Sequence, residues 1–411
     1  MKILLYTTNY WPELTGSGKY NGELSEWFYK EGHSVDVITA YPHYPQWAID
    51  TEYRGKWWSI EQYEGIRIFR SPIFVPNPPT GKGRILSEIS FALTSSFYWV
   101  RAFFQKYDVV IATCPPLQVG LYPYFYSLLK KTPFLFHIQD LQVDVAKKLQ
   151  MIQNPLLLNM LVKLENFLLA NATYVSSISE GMKQNILNKG VSENKYFMLP
   201  NWVDTEFIRP IPRDQSMRSM LQYDSTDYVV LYSGNMGEKQ GLEFLIDAAE
   251  LLSKETSIKF LICGDGVFKK RLEEQVLCKN LANVCFLPLQ PYEALPSLFA
   301  TANLHLIIQR KAASDVVMPS KLTTILSSGG AVLATAEEHT SLAQVIVKNK
   351  LGWSVIPEHA QALATQIVLA KNDIRASEYK FNARQYACQQ LSKEAVLRQF
   401  ERQLFSITQR K

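Results

Sequence analysis

Short apolar runs alternate with helical stretches along the whole chain, and the runs are continuously apolar. KILLYTTNY, SVDVITA, IRIFRSPIF, VVIAT, PFLFHI and YVSSIS form a first series; YVVLYSG, IKFLICG, VCFLP, LHLIIQ and AVLAT form a second. A strand that is apolar on both faces must be covered on both faces. That is the condition of a parallel sheet wrapped by helices such as GKYNGELSEWFYKEG and QGLEFLIDAAELLSKE. The chain is therefore expected to be α/β and doubly wound. With 411 residues, 47% of them hydrophobic, it exceeds what one core usually serves and has the apolar surface for two.

The segment LPNWVDTEFIRPIPRDQS holds three prolines between the two strand series. It places a hinge at about residues 200 to 222. The expected domains are 1–200 and 201–380, followed by a helical tail, 381–411, that crosses back to the first domain. In α/β sheets ligands sit at the carboxyl ends of strands, so the cleft between two facing domains is the expected site.

Several classes are excluded. Forty-three basic against 38 acidic side chains give a net charge of +5 without any basic run, too mild a bias for a nucleic-acid partner. Cys114, Cys263, Cys278, Cys285 and Cys388 are far apart and lack CxxC or Cys/His spacing, so neither a disulfide scaffold nor a zinc site is expected. The leading run MKILLYTTNYWPEL is too short for a signal peptide and reads as a buried first strand, which points to the cytoplasm. Residues 85–104 are interrupted by Glu88 and Arg101, so they do not form a spanning helix. Leu86, Ile89, Leu93, Phe97, Val100 and Phe104 follow helical spacing and read as a core-facing stripe. The aromatics off that stripe, Phe91, Tyr98, Trp99 and Phe103, leave a membrane-surface role open beside the core reading.

Five motifs can carry chemistry. PELTGSGKYNGELSEW puts Gly16, Ser17, Gly18 and Gly22 between the first strand and a helix whose N-terminal N–H groups suit an anion. It is not a Walker loop, because Glu13 and Tyr20 stand where a glycine and a Ser/Thr are needed, and its glycines lie too far from the strand for a dinucleotide fingerprint. YSGNMGEKQGLEFL repeats the arrangement, with Lys239 as a point charge for a diphosphate and a solvated lysine as the alternative. In KFLICGDGVF, Gly264, Asp265 and Gly266 form a tight turn where backbone groups can approach a planar base, or a plain strand-to-helix turn. DVVMPSKLTTILSSGG sets Ser320 and Lys321 at a helix start, a further anion site. Finally, FHIQDLQVD ends an apolar strand at His137, followed by Asp140 and Asp144; the terminal position favours a site residue over a satisfied core histidine.

In this order and spacing, NYWPELTGSGKYNGELSEWFYKEGHSVDVITA, LPNWVDTEFIRP, YSGNMGEKQGLEFLIDAAELL, ICGDG and MPSKLTTILSSGGAVLAT resemble glycosyltransferase family 4 over nearly the whole chain. NYWPELTGSGKYNGE, AYPHYPQW and FHIQDLQVD are similar, more narrowly, to the colanic acid biosynthesis glycosyltransferases, a bacterial group often described as fucosyltransferases.

The resemblance implies a GT-B fold: two Rossmann-like doubly wound domains facing a central cleft, with the donor in the second and the acceptor mainly in the first. It implies retention at the anomeric carbon, no cofactor or metal, and a nucleoside-diphosphate sugar, GDP- or UDP-linked, as co-substrate. The implied acceptor is a lipid-linked glycan at the inner face of the cytoplasmic membrane. By motif position Gly16 and Gly18 meet the donor phosphate, His137 the transferred sugar, and Lys239 the diphosphate. Gly264, Asp265 and Gly266 flank the base, while Ser17, Asp140 and Asn201 fall on the acceptor side of the cleft. Two departures stand out. Asn235 replaces an arginine that most members carry, with Lys321 as the compensating cation and Ser320 beside it as a further donor contact. Val316 and Thr324 stand where members carry two glutamates, the second of which holds the ribose; Asp315 is a neighbouring candidate, and Thr324 is counted among the donor contacts. A sugar-nucleotide epimerase and a non-catalytic binding subunit of an assembly complex are the competing readings.

Overall fold

The computed structural model describes residues 1–411 except 14, 15, 79, 149–151, 153, 312–318, 410 and 411. The chain divides into two compact units: Met1–Pro200 together with the segment from Leu397 onward, and Asn201–Val396.

In the first unit the strands are β1 (Lys2–Tyr6), β2 (Ser34–Ala40), β3 (Ser59–Tyr63), β4 (Ile66–Ser71), β5 (Val109–Cys114), β6 (Phe134–Ile138), β7 (Tyr174–Ser177) and β8 (Tyr196–Met198). Its helices are α1 (Gly16–Lys30), α2 (Gly81–Phe103), α3 (Leu121–Lys130), α4 (Gln142–Lys148), α5 (Pro155–Asn171) and α6 (Glu180–Asn188). The strands form one sheet in the order β3-β4-β2-β1-β5-β6-β7-β8. Only the β3/β4 pair among them is antiparallel. Ile3, Leu4, Val109, Ile111, Leu135 and Phe136 are fully buried, as strands covered on both faces require. The winding reverses between β1 and β5, which makes their carboxyl ends a topological switch point.

The orientation of α2 corrects the expectation from sequence. Its sheet-facing side is Ser87, Phe91, Ser95, Tyr98, Trp99 and Ala102, all buried. The stripe Leu86, Ile89, Leu93, Phe97, Val100 and Phe104 is exposed instead. Both sets recur at helical spacing, so periodicity alone does not choose between them. The choice rests on fit. Small side chains on that face keep the helix close to the sheet, packed on β2 and β4; Ser95 Oγ lies 2.7 Å from the Tyr6 hydroxyl of β1, and the Trp99 ring meets Tyr6 edge-on at 5.2 Å. Trp99, 1% exposed, is core rather than a membrane contact.

In the second unit the strands are β9 (Tyr228–Ser233), β10 (Ile258–Cys263), β11 (Val284–Leu287), β12 (Leu304–Ile307), β13 (Val332–Thr335) and β14 (Gly352–Val355). The helices are α7 (Glu243–Leu251), α8 (Lys269–Cys278), α9 (Leu295–Thr301), α10 (Lys321–Ser327), α11 (Ser341–Lys348), α12 (Ala360–Asn372) and α13 (Ala376–Tyr386). The sheet, β11-β10-β9-β12-β13-β14, is parallel throughout. Its switch point lies between β9 and β12. The last helix, α14 (Lys393–Thr408), joins the first unit from Leu397 onward. There Phe400 packs on Phe28 and Phe197, and His33 Nε2 donates to Glu401 at 2.7 Å while its Nδ1 accepts from the Met1 amine at 3.0 Å.

Candidate functional site

The second unit assembles the denser arrangement. The loop after β9 begins at Gly234, at the carboxyl end of the switch-point strand, where a parallel sheet receives ligands. It is locked to the loop after β10 by backbone bonds: Gly234 N–H to Cys263 O at 2.9 Å, Met236 N–H to Asp265 O at 2.8 Å, and Phe268 N–H to Met236 O at 3.0 Å. The approach is so close that a Cβ on Gly264, at φ +145°, would stand 2.0 Å from Gly234 O, and one on Gly266 would stand 2.5 Å from Met236 O. These two glycines are therefore required by loop-on-loop packing as well as by their backbone angles. Asp265 is exposed.

Under this double loop lies Lys321, the first residue of α10. The residue as a whole is half-buried, yet its Nζ is shut off from solvent and has no hydrogen-bond partner among the described residues. The amine sits 3.9 Å from the centre of the Tyr232 ring, and a Cβ on Gly234 would come within 2.9 Å of it. The ring face gives the cation partial compensation. Burial pushes its pKa down to about 7. An unpaired buried amine is costly, and an anion at the loop would supply the missing partner.

Other expected residues take lesser positions. Lys239 and Asn235 are exposed; the carbonyl of Asn235 accepts from the Tyr232 hydroxyl at 2.6 Å. Ser320 is exposed and its carbonyl accepts from Thr323 Oγ1, while Thr324 is half-buried with its carbonyl bonded to Ser328 N–H. Asp315 and Val316 lie outside the described residues. Sequence reasoning missed Arg310. Its Nε donates to Glu238 O at 2.8 Å, its N–H to Lys239 O at 2.9 Å, and its guanidinium pairs with Glu358 and Glu243. Arg310 braces the loop that carries Lys239, and nothing in its neighbours IIQRK announces this.

In the first unit the glycines divide by role. A Cβ on Gly22 would fall 1.5 Å from a Trp11 ring carbon, and one on Gly18 would meet Glu13 at 2.8 Å, so both are packing glycines. Gly16, exposed with φ +58°, opens α1 beside the half-buried Ser17. Glu13 is the residue that sequence reading missed here. Its buried carboxylate accepts from the N–H groups of His43 and Tyr44, both at 2.8 Å, and from Asn9 Nδ2 at 2.8 Å. It ties the loop after β1 to the loop after β2.

His137 ends up more enclosed than its terminal position suggests. It is 2% exposed, with Nδ1 2.9 Å from Ser176 Oγ and Nε2 2.9 Å from Gln139 Nε2. The Gln139 amide donates to Nε2, which leaves the ring proton on Nδ1 for Ser176. Burial pushes its pKa down to about 3, so the ring is neutral near pH 7. The half-buried Gln139 carries the polar contact at this strand end, and Asp140 next to it is half-buried, with its carbonyl accepting from Cys114 Sγ at 3.9 Å. Asp144 is a structural partner: Lys189 Nζ pairs with it at 2.9 Å and also with the buried Glu165. Asn201, 9% exposed at the start of the second unit, has no partner for Oδ1 among the described residues. Nor does any group of His, Cys, Asp and Glu suited to a metal ion occur among the described residues.

Two doubly wound α/β units follow one another in the chain, the second with a buried lysine under its switch-point loop. The family description "Glycosyl transferase 4-like domain" matches residues 15–202 and "Glycosyl transferases group 1" matches 214–386. The chain belongs to this glycosyltransferase family. It is 38% identical over 407 residues, 97% of this chain and 98% of the other, to WcaI of Escherichia coli (strain K12), a glycosyl transferase assigned to colanic acid biosynthesis. Among solved structures it superposes on the sucrose-phosphate synthase of Thermosynechococcus elongatus with a TM-score of 0.76 at 18% identity, covering 99% of this chain and 100% of that one. Anabaena Alr3699/HepE, solved with UDP, gives 0.71 at 17% identity with the same coverage. The fold is GT-B, as the sequence motifs imply.

Proposed function

We propose that this glycosyltransferase moves one sugar from a nucleoside-diphosphate donor to a lipid-linked glycan during assembly of a bacterial surface polysaccharide of the colanic acid kind. The observation that supports this most is Lys321, whose buried Nζ lies at the glycine loop with no hydrogen-bond partner among the described residues. The departing diphosphate develops charge as the glycosidic phosphate bond breaks, and a preorganised cation in a dry site stabilises that charge without reorganising at the moment of reaction. Lys321 then takes over the role of the arginine that Asn235 replaces, with Lys239 as a second, solvent-exposed cation. The likeness to WcaI supports the pathway, and a fold shared with HepE, a protein solved with UDP-glucose, is consistent with the donor class.

Transfer proceeds with retention. The bond from the anomeric carbon to the phosphate oxygen breaks, and the acceptor oxygen bonds on the same face. The hydroxyl proton passes to the leaving phosphate, so no protein base or metal is required. Neutral His137 positions Gln139 towards the sugar rather than exchanging protons. The enzyme works at the cytoplasmic face of the inner membrane. Purified protein given UDP- and GDP-sugars should be stabilised thermally by its donor and consume it only when acceptor is present. Turnover of donor alone to an isomer would favour an epimerase.

A further inference from the structure

The outward face of α2 is the least water-adapted surface of the first unit. Leu93, Phe97 and Val100 are 67%, 59% and 62% exposed, and the stripe runs on through Leu86 and Ile89. Adjacent helices continue it. Tyr122 of α3 donates to Ala92 O of α2, and Tyr124 of α3 meets Phe167 of α5 at 5.0 Å. On these neighbours Leu128 and Leu129, then Leu156 and Met160, are again more than half exposed. In the second unit, by contrast, the exposed large apolar residues stand singly on their helices, as Leu251 does on α7 and Leu277 on α8. Contiguity of this kind marks an interaction surface.

Charge selects the partner. The charged residues of α2, α3 and α5 are Lys82, Arg84, Arg101, Lys130 and Lys163 against Glu88 and Glu165. The five basic residues are exposed. The two carboxylates are withdrawn: Glu88 accepts from Gln118 and Gln142, and Glu165 is buried against Lys189. Lys82 extends the apolar stripe one turn before Leu86, and Lys163 lies between Met160 and Phe167 at helical spacing. At one rim Trp58, which donates to Thr94 O at 3.0 Å, packs on Phe97, and Trp57, 75% exposed, stacks on it. Exposed indoles beside an apolar face with a basic fringe match the headgroup boundary of a bilayer. A second copy fits poorly, since a two-fold interface would set this basic fringe against itself.

We infer that the exposed face of α2, α3 and α5 docks the enzyme on an anionic lipid bilayer, with the apolar stripe entering the interface and the basic residues meeting lipid phosphates. This rests on the proposed function only in that a lipid-borne acceptor gives the docking its purpose. No helix among the described residues is long and apolar enough to cross a membrane, so the contact is with the surface.

The test is co-sedimentation of the full chain with phosphatidylethanolamine vesicles containing phosphatidylglycerol, and with phosphatidylcholine vesicles. The variants are Leu93→Ser/Phe97→Ser/Val100→Ser and Arg101→Glu/Lys130→Glu/Lys163→Glu. Binding to the anionic vesicles is expected for the unaltered protein, with a loss of about tenfold or more in each variant and weakening in high salt. Unchanged binding in both variants, no binding by the unaltered protein, or a dimer that the variants dissolve would overturn the inference. Transfer to a water-soluble acceptor, measured alongside, should survive in both variants. Its absence from the unaltered protein would count against the proposed function and leave the docking result standing.

Discussion

A side-chain carbon on Gly234 would stand 2.9 Å from Nζ of Lys321. The glycine leaves the amine directly beneath the loop backbone at the strand end where a donor phosphate is expected. Lys321→Met should lower donor affinity or kcat/KM by tens of fold, equivalent to about 1.5 to 3 kcal/mol for a charge-assisted contact. Lys239→Ala, at an exposed site screened by water, should cost less, about fivefold. Equal losses in the two variants, read from steady-state kinetics, would remove the buried amine from its special position.

The same amine sets a pH dependence. Its folded pKa, pushed down to about 7, lies below the ordinary lysine value, so above pH 7 the unfolded chain holds the proton that the folded protein has lost. Stability of the ligand-free protein should therefore rise with pH from about 7 until ordinary lysine titrates, and Lys321→Met should flatten that rise. A diphosphate bound beside the amine should reverse the preference and draw the proton back. Calorimetry of UDP or GDP binding at pH 8 in buffers of different ionisation enthalpy should show net proton uptake in the unaltered protein and almost none in Lys321→Met.

His137 acts, on this reading, through Gln139. His137→Ala should lower kcat while leaving nucleoside diphosphate affinity near its original value, and Gln139→Ala should reproduce the kinetic loss with little change in melting temperature. A His137→Ala protein that melts earlier but transfers sugar normally per folded molecule would make this histidine a core residue only.

Lys189 offers a stability test away from the site. Lys189→Met strands the buried Glu165 carboxylate, whose pKa burial already raises. A loss of about 3 kcal/mol is expected in denaturant melts, with donor binding intact. Glu165→Gln/Lys189→Met should recover much of that loss, because the pair is removed together.

How much of this was legible in the sequence follows from what sequence patterns encode. Continuous apolar runs report two-sided burial, so the inner strands of both sheets could be read from them, whereas the edge strands β3, β8 and β14, less fully buried, could not. The facing of α2 could not. Its core side contains the small residues Ser87, Ser95 and Ala102, which seat the helix on β2 and β4, whereas its most apolar stripe points outward. Lys321 was legible as a lysine at a helix start, but its enclosure under Gly234 depends on three separate segments meeting. Glu13 and Arg310 were illegible, because each acts by bracing backbone groups that are distant in the chain.

On the proposed reading, donor diphosphate binds at Lys321 and its sugar passes to an acceptor. The most direct measurement is transfer by the purified protein with UDP- and GDP-sugars and lipid-linked acceptor extracted from membranes, following acceptor mass and released nucleotide together. One added sugar per nucleoside diphosphate released is expected, with the initial rate at subsaturating donor falling by tens of fold in Lys321→Met. Donor consumed without acceptor, or a Lys321→Met enzyme as active as the original, would contradict it.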